Sequence, residues 1–139
     1  MTALPPQVRV GARLPDLVVP LDRGFVVATA IASRDYQDVH HDPDVARASG
    51  AADVFMNILT SNAMVERFVR AWGGPSAELR ALRIRLGVPN SAGDRMVLRG
   101  TVREVGEDHA VVDVTGENSL GAHITGSATL AWPDRGVTP

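Results

Sequence analysis

The stretch from Arg34 to Pro43, RDYQDVHHDP, gathers aspartates at positions 35, 38 and 42 around the adjacent histidines His40 and His41. Asp35 and His40 stand five residues apart, so a turn between them brings a carboxylate and an imidazole to one shared point. Such a pair can hold a water molecule and take its proton, with the imidazole as base and the carboxylate as orienter or second shuttle. The same composition also suits a solvated turn, in which Asp42 before Pro43 serves as a turn or N-cap residue. A metal site is a third reading. It is weakened because neighbouring histidines diverge and no further His or Glu stands at i, i+4 spacing to complete a shell. His109 and His123 fall on strands or turn edges, without charged companions, and read as structural or exposed.

These side chains need elements to hold them. The first twenty or so residues carry four of the nine prolines and little periodicity, which predicts an extended arm with a strand near Leu17 to Pro20. Phe25 to Ser33, FVVATAIAS, is short, apolar and rich in β-branched residues, and reads as a buried strand leading into the polar stretch. Asp44 to Gly50 reads as a short helical turn closed by Gly50. Asp53 then stands as N-cap of a long helix, VFMNILTSNAMVERFVRAW, stopped at Gly73-Gly74-Pro75. Val54, Ile58, Val65, Phe68, Val69 and Trp72 share one face of it, and Met56, Leu59, Ala63 and Met64 flank that face. Little more than Ser61, Glu66, Arg67 and Arg70 is left for solvent, so other structure must wrap the helix.

Beyond the helix the apolar period shortens to two. ELRALRIRLGVP, RMVLRGTVREV, HAVVDVTGENS and AHITGSATLAW read as four strands joined by turns, followed by a polar tail from about residue 133. The expected fold is α+β, one long central helix wrapped by a curved antiparallel sheet, since nothing in the order resembles βαβ alternation. At 139 residues the chain has single-domain length. A net charge of −2 gives no electrostatic case for nucleic acid or an anionic membrane as partner. The absence of cysteine excludes disulfides and thiolate zinc sites. The N-terminal segment MTALPPQVRVGARLPDL has no apolar signal region, and a cytoplasmic protein is expected. The long helix also offers unpaired N–H groups at its start, suited to a carbonyl oxygen that becomes an enolate.

The order of strand, D-x-x-x-x-H loop, apolar helix and curved sheet resembles the MaoC-like, (R)-specific enoyl-CoA hydratases of the hot-dog fold. In that family an Asp and a His activate water for syn addition across an α,β-unsaturated acyl-CoA, and a backbone N–H at the start of the central helix binds the thioester oxygen. The resemblance implies Asp35 and His40 as the catalytic pair and the amide of Asn57, in MNILT, as the oxyanion donor. Gly87 to Asp94, GVPNSAGD, is similar to the family's strand connection. The chain departs from the general motif at Arg34, Gln37, Asp38 and Asn57, where the family more often shows Gly, Asn, Pro and Gly.

RDYQDVHHD, DVFMNILTSNAMVERFV, WGGPSAEL, RLGVP and ENSLGAHITG are more specifically similar to the small hot-dog subunits of actinobacterial steroid side-chain enoyl-CoA hydratases. That resemblance implies a substrate of the 3-oxopregna-4,17-diene-20-carboxyl-CoA class, hydrated at carbon 17, with no cofactor beyond the CoA that the substrate carries. It implies a partner too: a larger subunit with a hot-dog domain and a zinc-ribbon/OB-type acyl-CoA-associated domain, through which a steroid aldolase can be reached. Two other functions fit a hot-dog chain, an acyl-CoA thioesterase and a non-catalytic subunit that completes another chain's pocket. The presence of both Asp35 and His40 argues against the second.

Overall fold

A computed structural model describes residues 3–134. Five antiparallel strands, β1 (Leu17–Pro20), β2 (Glu78–Leu86), β3 (Arg95–Val105), β4 (His109–Asn118) and β5 (Gly121–Ala131), form one sheet in the order β1-β3-β4-β5-β2. Three helices, α1 (Arg23–Ala32), α2 (Pro43–Ala48) and α3 (Ile58–Gly73), separate β1 from the rest. The four strands expected after the helix and the strand at Leu17–Pro20 are all present. The N-terminal arm lies along β3, with Gly11 N–H donating to Val102 O and Leu14 N–H to Gly100 O at 2.8 and 2.9 Å. Most of the expected C-terminal tail, residues 135–139, lies outside the described residues.

Alternate residues of the central strands form the inner face. Met96, Leu98 and Val102 of β3, Ala110, Val112 and Val114 of β4, and Ile124, Ala128 and Leu130 of β5 are buried there, together with Val65, Phe68 and Val69 of α3. The period of two in the strands and of about 3.6 in the helix thus meet in one core. Gly100 lets the helix come close: a Cβ there would stand 3.0 Å from Phe68 and 3.1 Å from Val112. Gly74, at φ +83°, ends α3, and Trp132 beyond β5 returns to it, its indole N–H donating to Gly73 O at 3.0 Å.

The segment Phe25–Ser33 is helical, which corrects the strand expected from its β-branched content. A short apolar run fits a buried strand and a buried helix equally well, and the deciding features here are local. Asp22 N-caps the segment by accepting from Phe25 N–H at 2.7 Å, and alanines at 28, 30 and 32 favour helix. Thr29 and Ser33 donate their hydroxyls to carbonyls four residues back, both at 2.8 Å. The buried residues Val26 and Ala30 are spaced i, i+4, and Val26 makes a second small cluster with Ala46 and Val54.

The long helix also begins later than expected. Asp53 is no N-cap; its carboxylate pairs with Arg23 at 2.7 Å and Arg47 at 3.5 Å. The Arg23 guanidinium holds that carboxyl below its ordinary value. Residues 54–57 run extended beside 90–92, through Met56 N–H to Asn90 O and Ala92 N–H to Val54 O. Asn57 then caps α3 by accepting from Thr60 N–H at 3.1 Å. The first turn also faces differently from the expectation. Ser61, expected to face solvent, is fully buried, whereas Ile58 and Leu59 are 54% and 52% exposed.

Replacing Asp22 by Ala is expected to lower stability by about 1 kcal/mol through loss of the α1 cap. Chemical denaturation checks this, and an unmoved midpoint would deny the cap its role.

Candidate active site

α1 ends just before the polar loop. Ser33 closes the helix, and Arg34 N–H reaches back to Ile31 O and Asp35 N–H to Ala30 O, both at 2.9 Å. This reversal puts Arg34 at φ +57°, a left-handed conformation favoured by the glycine that the general motif carries there. Asp35 leaves it pointing inward. A 3-10 turn at Asp38–His40 follows, with Gln37 N–H donating to the Asp35 carboxylate at 3.3 Å and His40 N–H to Gln37 O at 3.1 Å. Gln37 and Asp38 therefore shape the turn as their positions suggest. Asp42 caps α2, accepting from Asp44 and Val45 N–H. His41 faces outward, 3.6 Å from Asp38. The double histidine divides, one ring inside and one outside.

Inside, the two residues singled out by spacing meet. His40 Nε2 stands 3.2 Å from Asp35 Oδ2, with the imidazole almost entirely buried and the carboxylate partly open. His40 Nδ1 lies 2.7 Å from the Phe55 carbonyl oxygen, which can only accept, so Nδ1 carries a proton and donates. The same Phe55 ring meets the imidazole edge-on at a centroid distance of 5.3 Å. With Nδ1–H fixed, Nε2 of a neutral His40 presents its lone pair toward Asp35 and the open side of the site.

Asn57 was expected to matter through its backbone N–H, which has no hydrogen-bond acceptor among the described residues. Spacing gave no sign of what its side chain does. The buried carboxamide donates from Nδ2 to Ser33 Oγ at 2.7 Å and to Asp35 Oδ2 at 3.2 Å, and its Oδ1 accepts from Thr60 N–H and Thr60 Oγ1 at 3.1 and 2.5 Å. Its side chain turns toward the pair, and its peptide N–H remains uncommitted at the helix start. Burial raises the Asp35 carboxyl, but the bonds from Asn57 and Gln37 and the charge of His40 outweigh it, and the net shift is downward. Asp35 is ionised at neutral pH.

His123 and Ser61 are a further pair that spacing did not bring together, 62 residues apart in sequence and joined at 2.8 Å. The expectation that His109 lacks a charged companion is corrected as well: its Nδ1 lies 3.2 Å from Asp108.

An antiparallel sheet around one central helix, with a carboxylate and an imidazole presented beside the helix start, is the hot-dog arrangement of the MaoC-like hydratases. A solved (R)-hydratase from A. caviae involved in PHA biosynthesis has this fold, at TM-score 0.83 and 19% identity over 93% of this chain and all of that one. One chain in the ChsH1-ChsH2 complex from Mycobacterium tuberculosis superposes at TM-score 0.88 with 45% identity, over 91% of this chain and 99% of that one. No protein-family model matches the chain. By sequence it is 46% identical over 125 residues to the 3-oxo-4,17-pregnadiene-20-carboxyl-CoA hydratase beta subunit of M. tuberculosis, over 90% of this chain and 97% of that protein. The chain belongs to the family of that hydratase subunit.

Asn57→Gly keeps a tolerated helix start but removes the donor to Asp35, so the Asp35 carboxyl is expected to rise toward its ordinary value. A carboxylate with a depressed native value lends stability that is complete above the unfolded value and lost as pH falls through the native one. The variant should therefore show a higher Asp35 midpoint by carbon-13 NMR titration and a smaller loss of stability between neutral pH and pH 3. An unchanged midpoint would mean that Asn57 does not govern the carboxylate.

Proposed function

We propose that the chain is the catalytic subunit of a hydratase that adds water across the side-chain double bond of a steroid acyl-CoA, of the 3-oxopregna-4,17-diene-20-carboxyl-CoA class. The observation that carries the reading is the 3.2 Å approach of the Asp35 carboxylate to His40 Nε2, with Nδ1 held by Phe55 O, beside the uncommitted Asn57 N–H. Two acceptors at 3.2 Å repel unless a proton lies between them or a water donates to both. A water bound in the second way has its oxygen aimed outward and both protons engaged.

The chemistry follows from that geometry. The water oxygen attacks the β-carbon while His40 Nε2 takes one of its protons. The electrons of the double bond move toward the thioester, whose oxygen gains charge and is held by the Asn57 N–H. Asp35 is the weaker base, being held below the ordinary carboxylate value, and it stabilises the imidazolium that forms. Return of that proton from Nε2 to the α-carbon on the same face completes addition of one water. No further cofactor enters the balance.

The chain alone offers a partial pocket. Between α1 and α3 a groove of about 240 Å³, lined by Thr29, Ala32, Ser33, Leu59, Thr60, Ala63 and Met64, opens next to the Asn57 network. Pockets that enclose a ligand of this size run to roughly 300–1,000 Å³. A second chain is needed to close the site. The strand β2 is a sheet edge with no partner on its outer side among the described residues, and the exposed Ile58 lies near that edge. An open groove lined by Ile58, Asn62, Leu82, Ile84 and Thr125 runs between them. We infer that the larger subunit, with its hot-dog domain and zinc-ribbon/OB-type domain, covers this surface and provides the route to a steroid aldolase; the family relationship supports this partner. Among the described residues no helix is long and apolar enough to cross a membrane, and the assembly is proposed to work in the cytoplasm.

Co-expression with the larger subunit should yield hydration of a steroid enoyl-CoA and little hydration of a short-chain enoyl-CoA. Asp35→Asn and His40→Ala are each expected to lower that rate by about 10³-fold with the fold unchanged. Near-complete activity in either variant would remove that residue from the mechanism.

A further inference from the structure

Ser61 and His123 form a side-chain constellation that the hydration chemistry leaves unused. Ser61 Oγ lies 2.8 Å from His123 Nε2, and His123 Nδ1 lies 2.6 Å from Val88 O. The carbonyl fixes a proton on Nδ1, so Nε2 accepts and the Ser61 hydroxyl donates to it. Burial pushes the His123 imidazole down in pKa, against an opposing contribution from its bond to Val88, which agrees with a neutral ring.

A serine hydroxyl donating to a neutral imidazole is also the arrangement of a nucleophile and its base. Ser61 has 0% of its surface exposed and His123 only 3%, and no acyl group can reach Oγ. What Ser61 does touch is Asn57. Its N–H donates to Asn57 O at 3.1 Å, and its Oγ lies 3.3 Å from the same oxygen. The hydroxyl thus joins the first turn of α3 to the ring on β5, and the ring joins it to Val88, in the connection after β2. Asn57 is held by its carboxamide from the site side, and its carbonyl accepts the backbone N–H of Ser61, the residue whose hydroxyl is anchored to the His123 ring.

We propose that Ser61 and His123 are a positioning pair that moors the first turn of α3 to the sheet and so sets the direction of the Asn57 N–H. The proposal rests on the hydratase reading for its effect on rate, but the mooring itself can be observed without substrate. Asn57 is the residue through which the pair acts, and neither Ser61 nor His123 touches substrate.

The test compares Ser61→Ala, His123→Leu, the double variant and His123→Gln, each co-expressed with the larger subunit and assayed well below its own melting temperature. Misdirecting the donor should lower kcat about tenfold in each of the first two, with KM within about twofold. The double variant should be no worse than either alone, because the two side chains act as one unit. His123→Gln, which can still accept from Ser61, should recover most of kcat. Variants that melt earlier but keep wild-type kcat, or losses that multiply in the double variant, would overturn the proposal. Hydrogen exchange on Ser61→Ala gives the second readout: the amides of residues 57–61 should exchange at least about tenfold faster, with the rest of α3 little changed. Uniform or absent acceleration contradicts the mooring, whatever the assay gives. Absence of hydration by the wild-type assembly would instead count against the hydratase reading, with the exchange result still deciding the pair.

Discussion

One buried carboxamide holds the site together. Asn57 uses both donors and both acceptor positions of its side chain, on Ser33 at the end of α1, Asp35 in the loop and Thr60 in the first turn of α3. A buried amide with an unmet donor or acceptor is costly, whereas a complete set orders every element it reaches. Removing any of the three partners leaves a polar atom stranded in a region where Asn57 itself is only 2% exposed. The position of Asp35, the start of α3 and the end of α1 are for that reason a single conformational decision.

The other half of the pair is fixed with equal economy. The Phe55 carbonyl takes the Nδ1 proton of His40 and so decides which ring nitrogen faces Asp35. Phe55 can do this because residues 54–57 run extended beside residues 90–92 before the helix begins. Had α3 started after Asp53, that carbonyl would have pointed along the helix axis and been lost to His40. Asp53 is instead engaged by Arg23 and Arg47, and its salt bridges tie the start of α1 and α2 to the segment that leads into α3.

The sheet was legible in the sequence for physical reasons. Alternation in RMVLRGTVREV and HAVVDVTGENS reflects one wet face and one dry face, and turn residues separate the strands. Asp35 and His40 were one of three readings of the loop, and the resemblance to the hydratase motif singled them out. The helix at Phe25–Ser33 was misread because apolar residues also occupy its exposed side, where Ala28, Ile31 and Ala32 lie, which hides the 3.6-residue period and leaves β-branched composition as the louder signal. The roles of the Asn57 side chain, Phe55 O and the Ser61–His123 pair depend on contacts across 15 to 62 residues of chain. Local pattern holds no trace of such pairings. Ser61 looked solvent-facing because it is small and polar, whereas Val65, Phe68 and Val69 were assigned to the buried face as found.

On the proposed reading the chain supplies the polar machinery and another subunit the apolar enclosure. The groove beside Asn57 is open, and the exposed Ile58 and Leu59 lie at the helix start. A thioesterase could use the same fold, with a carboxylate directing water at the thioester carbon instead of the β-carbon. The position that receives the water oxygen separates the two. The assembly should be incubated with a steroid enoyl-CoA in [18O]water and the products read by mass spectrometry. The account predicts an intact CoA thioester carrying one 18O atom as a hydroxyl on the β-carbon. Free CoA together with 18O in a released carboxylate would contradict it.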